Sequence, residues 1–318
     1  MVGKQILQGN EKLREKGLGT YLDHGVETGS VIKINREYIE SLTIEMRLID
    51  SVPSTTEISL FGKLLATPIM TGALSALTKI CADPMVELAK GVAEAGSAVW
   101  VGIGNSDELQ AIIDTNAPTI KIVKPYADNE LIFSKLKDAA KRGAAAVGMD
   151  ITFFFGGKHK DNLVRADLMG PKTLHQMSEF VKFTDLPFVI KGVLSVRDAV
   201  KAAEAGASAI VVSHHGGGTM DYAVPPLKIL PQIKKELEGK ILIFVDGGLI
   251  RGSDIFKALA LGADGVLMGR VLMAALANGG AMGVTNMING LNEEIRRIMS
   301  LTGCSNLKEI GPELIHTL

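Results

Sequence analysis

The segment SHHGGGTMD at 213–221 sets two histidines before three glycines, directly after an apolar run. An imidazole titrates near neutral pH and suits a general base. The glycines give it little steric cover, so at least one ring is expected to reach a cavity. His215 is the favoured base, and the role of His214 stays open. Lys191 ends another apolar run. A lysine is almost never fully buried unless paired. Lys191 therefore either snorkels to solvent or places a cation beside an anionic ligand. Asp150 ends a third run, where it either orients a histidine or caps the next turn. Asp246 reads as a ligand contact or an N-cap, and Tyr21 carries no signal by its type alone.

Two further segments suit an anion. The first is DGGLIRGSD at 246–254, and the second is Gly269–Arg270. Gly247, Gly248 and Gly252 permit close backbone approach, so that N–H groups can face a phosphate. Arg270 supplies charge-assisted bonds, with Arg251 as a second candidate. The competing reading is two tight turns with surface arginines.

These residues need elements to hold them. An amphipathic stretch ending in glycine runs straight into a short apolar run at Gly96, Gly143, Gly206 and Gly262. Each reads as a helix stopped by a C′ glycine that feeds a buried strand. The runs do not alternate polar and apolar, as expected of parallel strands covered on both faces. Strands fall near 66–72, 97–103, 119–124, 145–150, 187–191, 208–213, 240–246 and 264–269. Helices lie between them at about 84–95, 106–115, 130–142, 171–183, 195–205, 226–238 and 252–261. Eight strands alternating with helices over about 250 residues predict a (β/α)₈ TIM barrel. A doubly wound open sheet ranks lower, because no G-x-G-x-x-G follows the first strand. The candidate residues then share the C-terminal face, where such barrels do chemistry. The two glycine loops follow strands 7 and 8, the usual phosphate position. Residues 1–60 are expected to be helices wrapped on the barrel, and 280–302 a closing amphipathic helix. The whole chain, 1–318, reads as one barrel domain.

Composition narrows the function classes. Hydrophobic residues are 47% and charged residues 22%, which supports a sizeable core. Lys+Arg is 34 against Asp+Glu 35, a net charge of -1 that argues against nucleic acid as the partner. Cys81 and Cys304 are too few and too far apart for a disulfide framework or a cysteine zinc site, and no metal is expected. The first residues contain no apolar run of signal-peptide length. The most apolar stretch, 263–283, is interrupted by Arg270 and five glycines and is expected to fall short of a spanning helix. A cytoplasmic protein acting on a small molecule is expected, away from membranes.

The run LPFVIKG…GASAIVVSHHGGGTMDY…VDGGLIRGSDIFKALALGADGVLMGR, ending in LTGCSNLKEI, resembles the FMN-dependent 2-hydroxy acid oxidase and dehydrogenase family. The resemblance extends from about Tyr21 to the C-terminus. It implies FMN as cofactor and His215 as the base, held by Asp150. It implies Lys191 beside the flavin N1–O2 edge, where positive charge stabilises the reduced ring. Tyr21, ahead of GVETG (25–29), is implied in substrate contact. Ser213, Asp246, Gly247, Gly248, Arg251, Gly269 and Arg270 correspond to flavin-site positions, as do Gly102 and Lys121. Ala73, Leu74 and Ser75 occupy the segment implied to lie against the isoalloxazine. A homotetramer is implied on the same ground.

The chain departs from the family where the substrate carboxylate is held. The family segment S-N-H-G-x-R ends in arginine where this chain has Gly218, and its asparagine is His214 here. Losing a bidentate partner removes a bond worth roughly 1.5–3 kcal/mol. After strand 4 the loop ITFFFGGKHKDNLVRAD is shorter than the family's and offers only Lys158 or Arg165 in place of a second arginine. The family's Q-L-Y after strand 3 reads KIV (121–123), which puts Lys121 at a flavin-contacting glutamine and leaves Tyr126 to replace the tyrosine. Ile250 stands at the first arginine of D-G-G-V-R-R-G.

The leading expectation is an FMN oxidoreductase that oxidises a 2-hydroxy acid or a related alcohol or amine. Tyr21 and a lysine from 121, 124 or 158 would hold a carboxylate. Two alternatives remain: an FMN-dependent isomerase resembling type 2 isopentenyl diphosphate isomerase, and a flavin-binding protein without turnover.

Overall fold

The computed structural model describes every residue except Met1, Asp23, His24, Ala76, Lys160, Asp161 and Arg165, and describes only the backbone at Tyr21, 157–159 and 162–164. Eight parallel strands form the centre. They are β1 (Ile69–Thr71), β2 (Val99–Val101), β3 (Thr119–Val123), β4 (Ala146–Asp150), β5 (Phe188–Val193), β6 (Ala209–Val212), β7 (Leu242–Val245) and β8 (Gly265–Met268). Their order is β1-β8-β7-β6-β5-β4-β3-β2. The sheet closes between its ends: Thr71 N–H donates to the Ala98 carbonyl at 3.3 Å and Gly102 N–H to that of Leu74 at 2.9 Å. The expected eight-stranded barrel is therefore present, with every expected run in its place.

The glycine stops act as read. Gly96, Gly143, Gly206 and Gly262 all take positive φ, a conformation that ends a helix without a Cβ clash. Around the barrel lie α1 (Val2–Glu15), α2 (Ser30–Ser41), α3 (Pro84–Glu94), α4 (Ser106–Ile113), α5 (Asn129–Arg142), α6 (Leu174–Lys182), α7 (Val196–Glu204), α8 (Pro226–Leu237), α9 (Gly252–Ala260) and α10 (Arg270–Leu301).

Inside the barrel, Met70, Trp100, Ile120, Ile122, Val189, Val211, Phe244 and Leu267 pack together. Trp100 meets Phe244 edge-on at 5.6 Å. A hairpin of Ile58–Leu60 and Lys63–Leu65 adds Leu60, Leu65 and Phe61 to this cluster. It plugs the N-terminal end and leaves the C-terminal end for the site.

The extension is only partly helical. After α2 the chain becomes extended, and Leu42–Ile44 pairs antiparallel with Ile315–Thr317 near the C-terminus. Pro53 and the β-branched pair Thr55–Thr56 disfavour helix there. The closing helix also starts earlier than expected, at Arg270, and runs through a break at Gly279 and Gly280. By length and composition alone α10 can cross a membrane, contrary to the reading of 263–283, yet 56% of its apolar window is buried inside the protein. Val271–Leu276, Val284, Met287 and Leu291 are all covered.

Candidate active site

Strand register places the chemistry. In the parallel ladder of β4 and β5, Lys191 is level with Asp150. In β6 and β7, Val212 is level with Val245, so Ser213 and Asp246 leave their strands side by side. Four strand ends thus present Asp150, Lys191, Ser213 and Asp246 to one cavity mouth.

His215 follows with φ +53, between Ser213 and the positive-φ glycines 216 and 217. Its amide donates to Ser213 Oγ at 3.0 Å. Its Nδ1 lies 3.1 Å from Asp150 Oδ2 and 3.2 Å from Thr152 Oγ1. The edge of the Phe153 ring packs against it at 4.8 Å. A carboxylate only accepts, so Nδ1 carries the hydrogen and Nε2 keeps its lone pair. Nε2 is therefore the proton acceptor.

Asp150 is almost wholly buried. Burial by itself would raise its pKa. Lys124, His215 and Lys191 outweigh that and hold the carboxyl well below its usual range. Asp150 does both things expected of it as alternatives. Its Oδ1 accepts from Thr152 N–H at 3.2 Å and caps the following turn, while Oδ2 orients His215. Lys124 Nζ stands 3.3 Å from the same Oδ2 and 3.3 Å from the centroid of the Phe153 ring. This buried ammonium is compensated by a carboxylate and a π face. Burial lowers its pKa despite Asp150.

Lys191 does not snorkel. Nζ contacts Asp246 Oδ2 at 2.9 Å and Ser213 Oγ at 3.1 Å. Burial alone would lower its pKa, but Asp246 and Asp150 raise it, so the ammonium stays charged. Asp246 Oδ1 is buried with no partner among the described residues.

The phosphate-like loops carry the expected backbone. Gly247 has φ +108 and Gly248 has φ +75. A support the sequence did not announce comes from α2. Asn35 Nδ2 donates to the Gly247 carbonyl at 3.0 Å, and Arg36 pairs with Asp254 at 2.9 and 3.0 Å. Gly269 caps α10 and Arg270 opens it, which sets a guanidinium at the partial positive charge of a helix N-terminus. Arg270 Nη2 would lie 3.5 Å from a Cβ on Gly216, beside the histidine segment. Arg251 goes elsewhere. It pairs with Glu294 at 3.5 Å, and its guanidinium lies against Gly3 of α1. Glu294 also accepts from Gly252 N–H, so α10 draws Arg251 to the outer wall, away from the cofactor role expected of it.

On the opposite side, Gly102 lies against Ala73, Leu74 and Ser75; a Cβ on it would be 2.9 Å from the Ala73 carbonyl. Lys121 Nζ donates to the Gly102 carbonyl. Burial, reinforced by Lys135, brings its pKa down to about 8. Lys121, Lys124, Tyr126 and Lys135 line a small cavity with Gly102 and Gly104. The side chains of Tyr21, Lys158 and Arg165 lie outside the described residues. Thr152 and Phe153, which hold the His215 ring, were not singled out from sequence, and their residue types gave no signal.

The described residues fit FMN. They offer a buried cation at Lys191 for the ring, a carboxylate oxygen at Asp246, unpartnered among the described residues, that can accept from a hydroxyl or N–H, and a glycine cradle at 247–248 that a Cβ would fill, suited to the phosphate. A family model described as FMN-dependent dehydrogenase matches residues 11–178 and 158–317. L-lactate oxidase of Lactobacillus jensenii is 31% identical, with 80% of this chain and 70% of that protein covered. Glycolate oxidase 3 of Oryza sativa subsp. japonica is 29% identical, with 91% and 89% covered. A crystal structure of mandelate oxidase superposes with a TM-score of 0.91 at 27% identity, covering 100% of this chain and 98% of the other.

Proposed function

The chain belongs to the FMN-dependent dehydrogenase family, and from that premise we propose that it oxidises a small 2-hydroxy acid. FMN, when bound, supplies the two-electron acceptor that such an oxidation requires. His215 takes a substrate proton at Nε2. Asp150, kept ionised, stabilises the imidazolium that results. Lys191 holds a fixed positive charge at the mouth where negative charge gathers. The observation that carries this reading is the 3.1 Å contact between Asp150 Oδ2 and His215 Nδ1, which leaves Nε2 basic. A protein that only binds flavin has no use for an oriented base.

Lys124 is the residue we assign to the substrate carboxylate. It is a buried cation adjoining the His215–Asp150 pair, in a chain that has Gly218 where the family has its arginine. A Cβ on Gly218 would stand 3.7 Å from His215 Cδ2, so that position borders the base. The test is His215→Asn: it keeps bound flavin but loses flavin reduction by 2-hydroxy acids. Unchanged reduction rules out the assigned base.

A cytoplasmic homotetramer completes the proposal. Free Cys81 and Cys304 support a reducing compartment. The exposed Met46, Leu48 and Ile49 offer apolar surface for a second copy to cover. Light scattering of the purified protein measures the assembly.

A further inference from the structure

His214 follows β6 and is 3% exposed. The Gly217 backbone N–H lies 3.1 Å from its Nδ1. A backbone amide only donates, so Nδ1 is an acceptor here. The ring is neutral with its hydrogen on Nε2. Burial points the same way and lowers its pKa to about 4, although Asp246 opposes the shift. The two adjacent histidines thus hold opposite tautomers. His215 offers a lone pair at Nε2, and His214 offers a hydrogen there.

That hydrogen has no acceptor among the described residues. Nε2 of His214 is buried and has no partner among the described residues. Buried donors are almost always satisfied by protein, water or ligand. The ring lies on the glycine cradle: a Cβ on Gly247 would be 2.9 Å from Cε1 and 3.4 Å from Nε2. Only glycine at 247 leaves that edge of the ring clear. Lys191 and Arg270 act on the ring as cations and Asp246 as an anion. The missing partner is therefore an oxygen acceptor suited to a cationic cradle.

We infer that His214 donates its Nε2 hydrogen to an oxygen of the FMN ribityl phosphate chain. This rests on the family reading, which supplies FMN. The acceptor is either a phosphate oxygen or a ribityl hydroxyl, two ends of one chain.

The test labels histidine with ¹⁵N in the full-length protein and follows the ring N–H signals as FMN or riboflavin is added. Six histidines are present, and the His214 signal is identified by its loss in His214→Asn. The expected result is a displaced His214 signal with FMN. Displacement by FMN but not riboflavin places the acceptor on the phosphate; displacement by both places it on the ribityl chain. A signal unmoved in protein that has bound flavin overturns the inference. His214→Phe removes the donor and is expected to weaken FMN binding about tenfold. Wild-type affinity for both flavins in that variant is a second overturning result. Wild-type protein that binds no flavin overturns the family reading instead, which keeps the two failures apart.

Discussion

The Oδ2 atom of Asp150 lies 3.1 Å from Nδ1 of His215 and 3.3 Å from Nζ of Lys124. One carboxylate oxygen therefore orients the base and neutralises a buried lysine. Asp150→Asn removes the charge that serves both. An amide can donate towards Nδ1 and turn the imidazole to the wrong tautomer. We expect the rate of flavin reduction to fall by about 10²–10⁴ while flavin stays bound. A loss under threefold would show that Asp150 does not set the tautomer.

Lys191 and Asp246 form a buried pair at 2.9 Å. Lys191→Met leaves the carboxylate without its cation. Stability at neutral pH is expected to fall by about 3–5 kcal/mol. Adding Asp246→Asn should return part of that loss. Denaturant unfolding of both variants checks it; no recovery in the double variant would mean that the two charges are not coupled.

The eight strands were legible because each is a short apolar run fed by a glycine-stopped helix. Asp150, Lys191 and His215 were legible because they lie at strand ends, and barrel geometry gathers strand ends. Arg251 was not. Its local sequence is that of a phosphate loop, but Glu294 on a distant helix decides where it points. Arg36 and Asp254 are likewise far apart in sequence, and no local pattern links them. Lys124 was one candidate of three. The structure distinguishes it by its contacts with Asp150 and Phe153. Local rules give elements and their ends; partners brought by tertiary packing give side-chain direction.

Lys124→Met tests the carboxylate assignment. KM for a 2-hydroxy acid is expected to rise about 10–100-fold, as loss of a bond to a charged group implies. Restoring a cation by Gly218→Arg should lower KM again in that background. Gly218 has φ −90, which an arginine can adopt. Steady-state kinetics across substrate concentration read both effects, and an unchanged KM in Lys124→Met moves the role to another residue.

The His214 pKa of about 4 gives a pH signature. The unfolded imidazole titrates near 6.5, so between about 6.5 and 4 the unfolded chain binds more protons. Stability is fully present above the unfolded value and is lost as pH falls through that window. The loss should be on the order of 1–3 kcal/mol. His214→Asn should remove this part of the slope. Urea unfolding of flavin-free protein at pH 7, 5.5 and 4.5 measures it, and equal slopes in both proteins would contradict the buried neutral ring.

The central claim is that His215 and its partners oxidise a 2-hydroxy acid at bound FMN. The most direct test mixes the yellow protein anaerobically with a panel of 2-hydroxy acids and follows flavin absorbance. The account predicts bleaching by at least one acid in the wild type and none in His215→Asn. Flavin that stays oxidised with every acid, in wild-type protein and in Gly218→Arg, would contradict it.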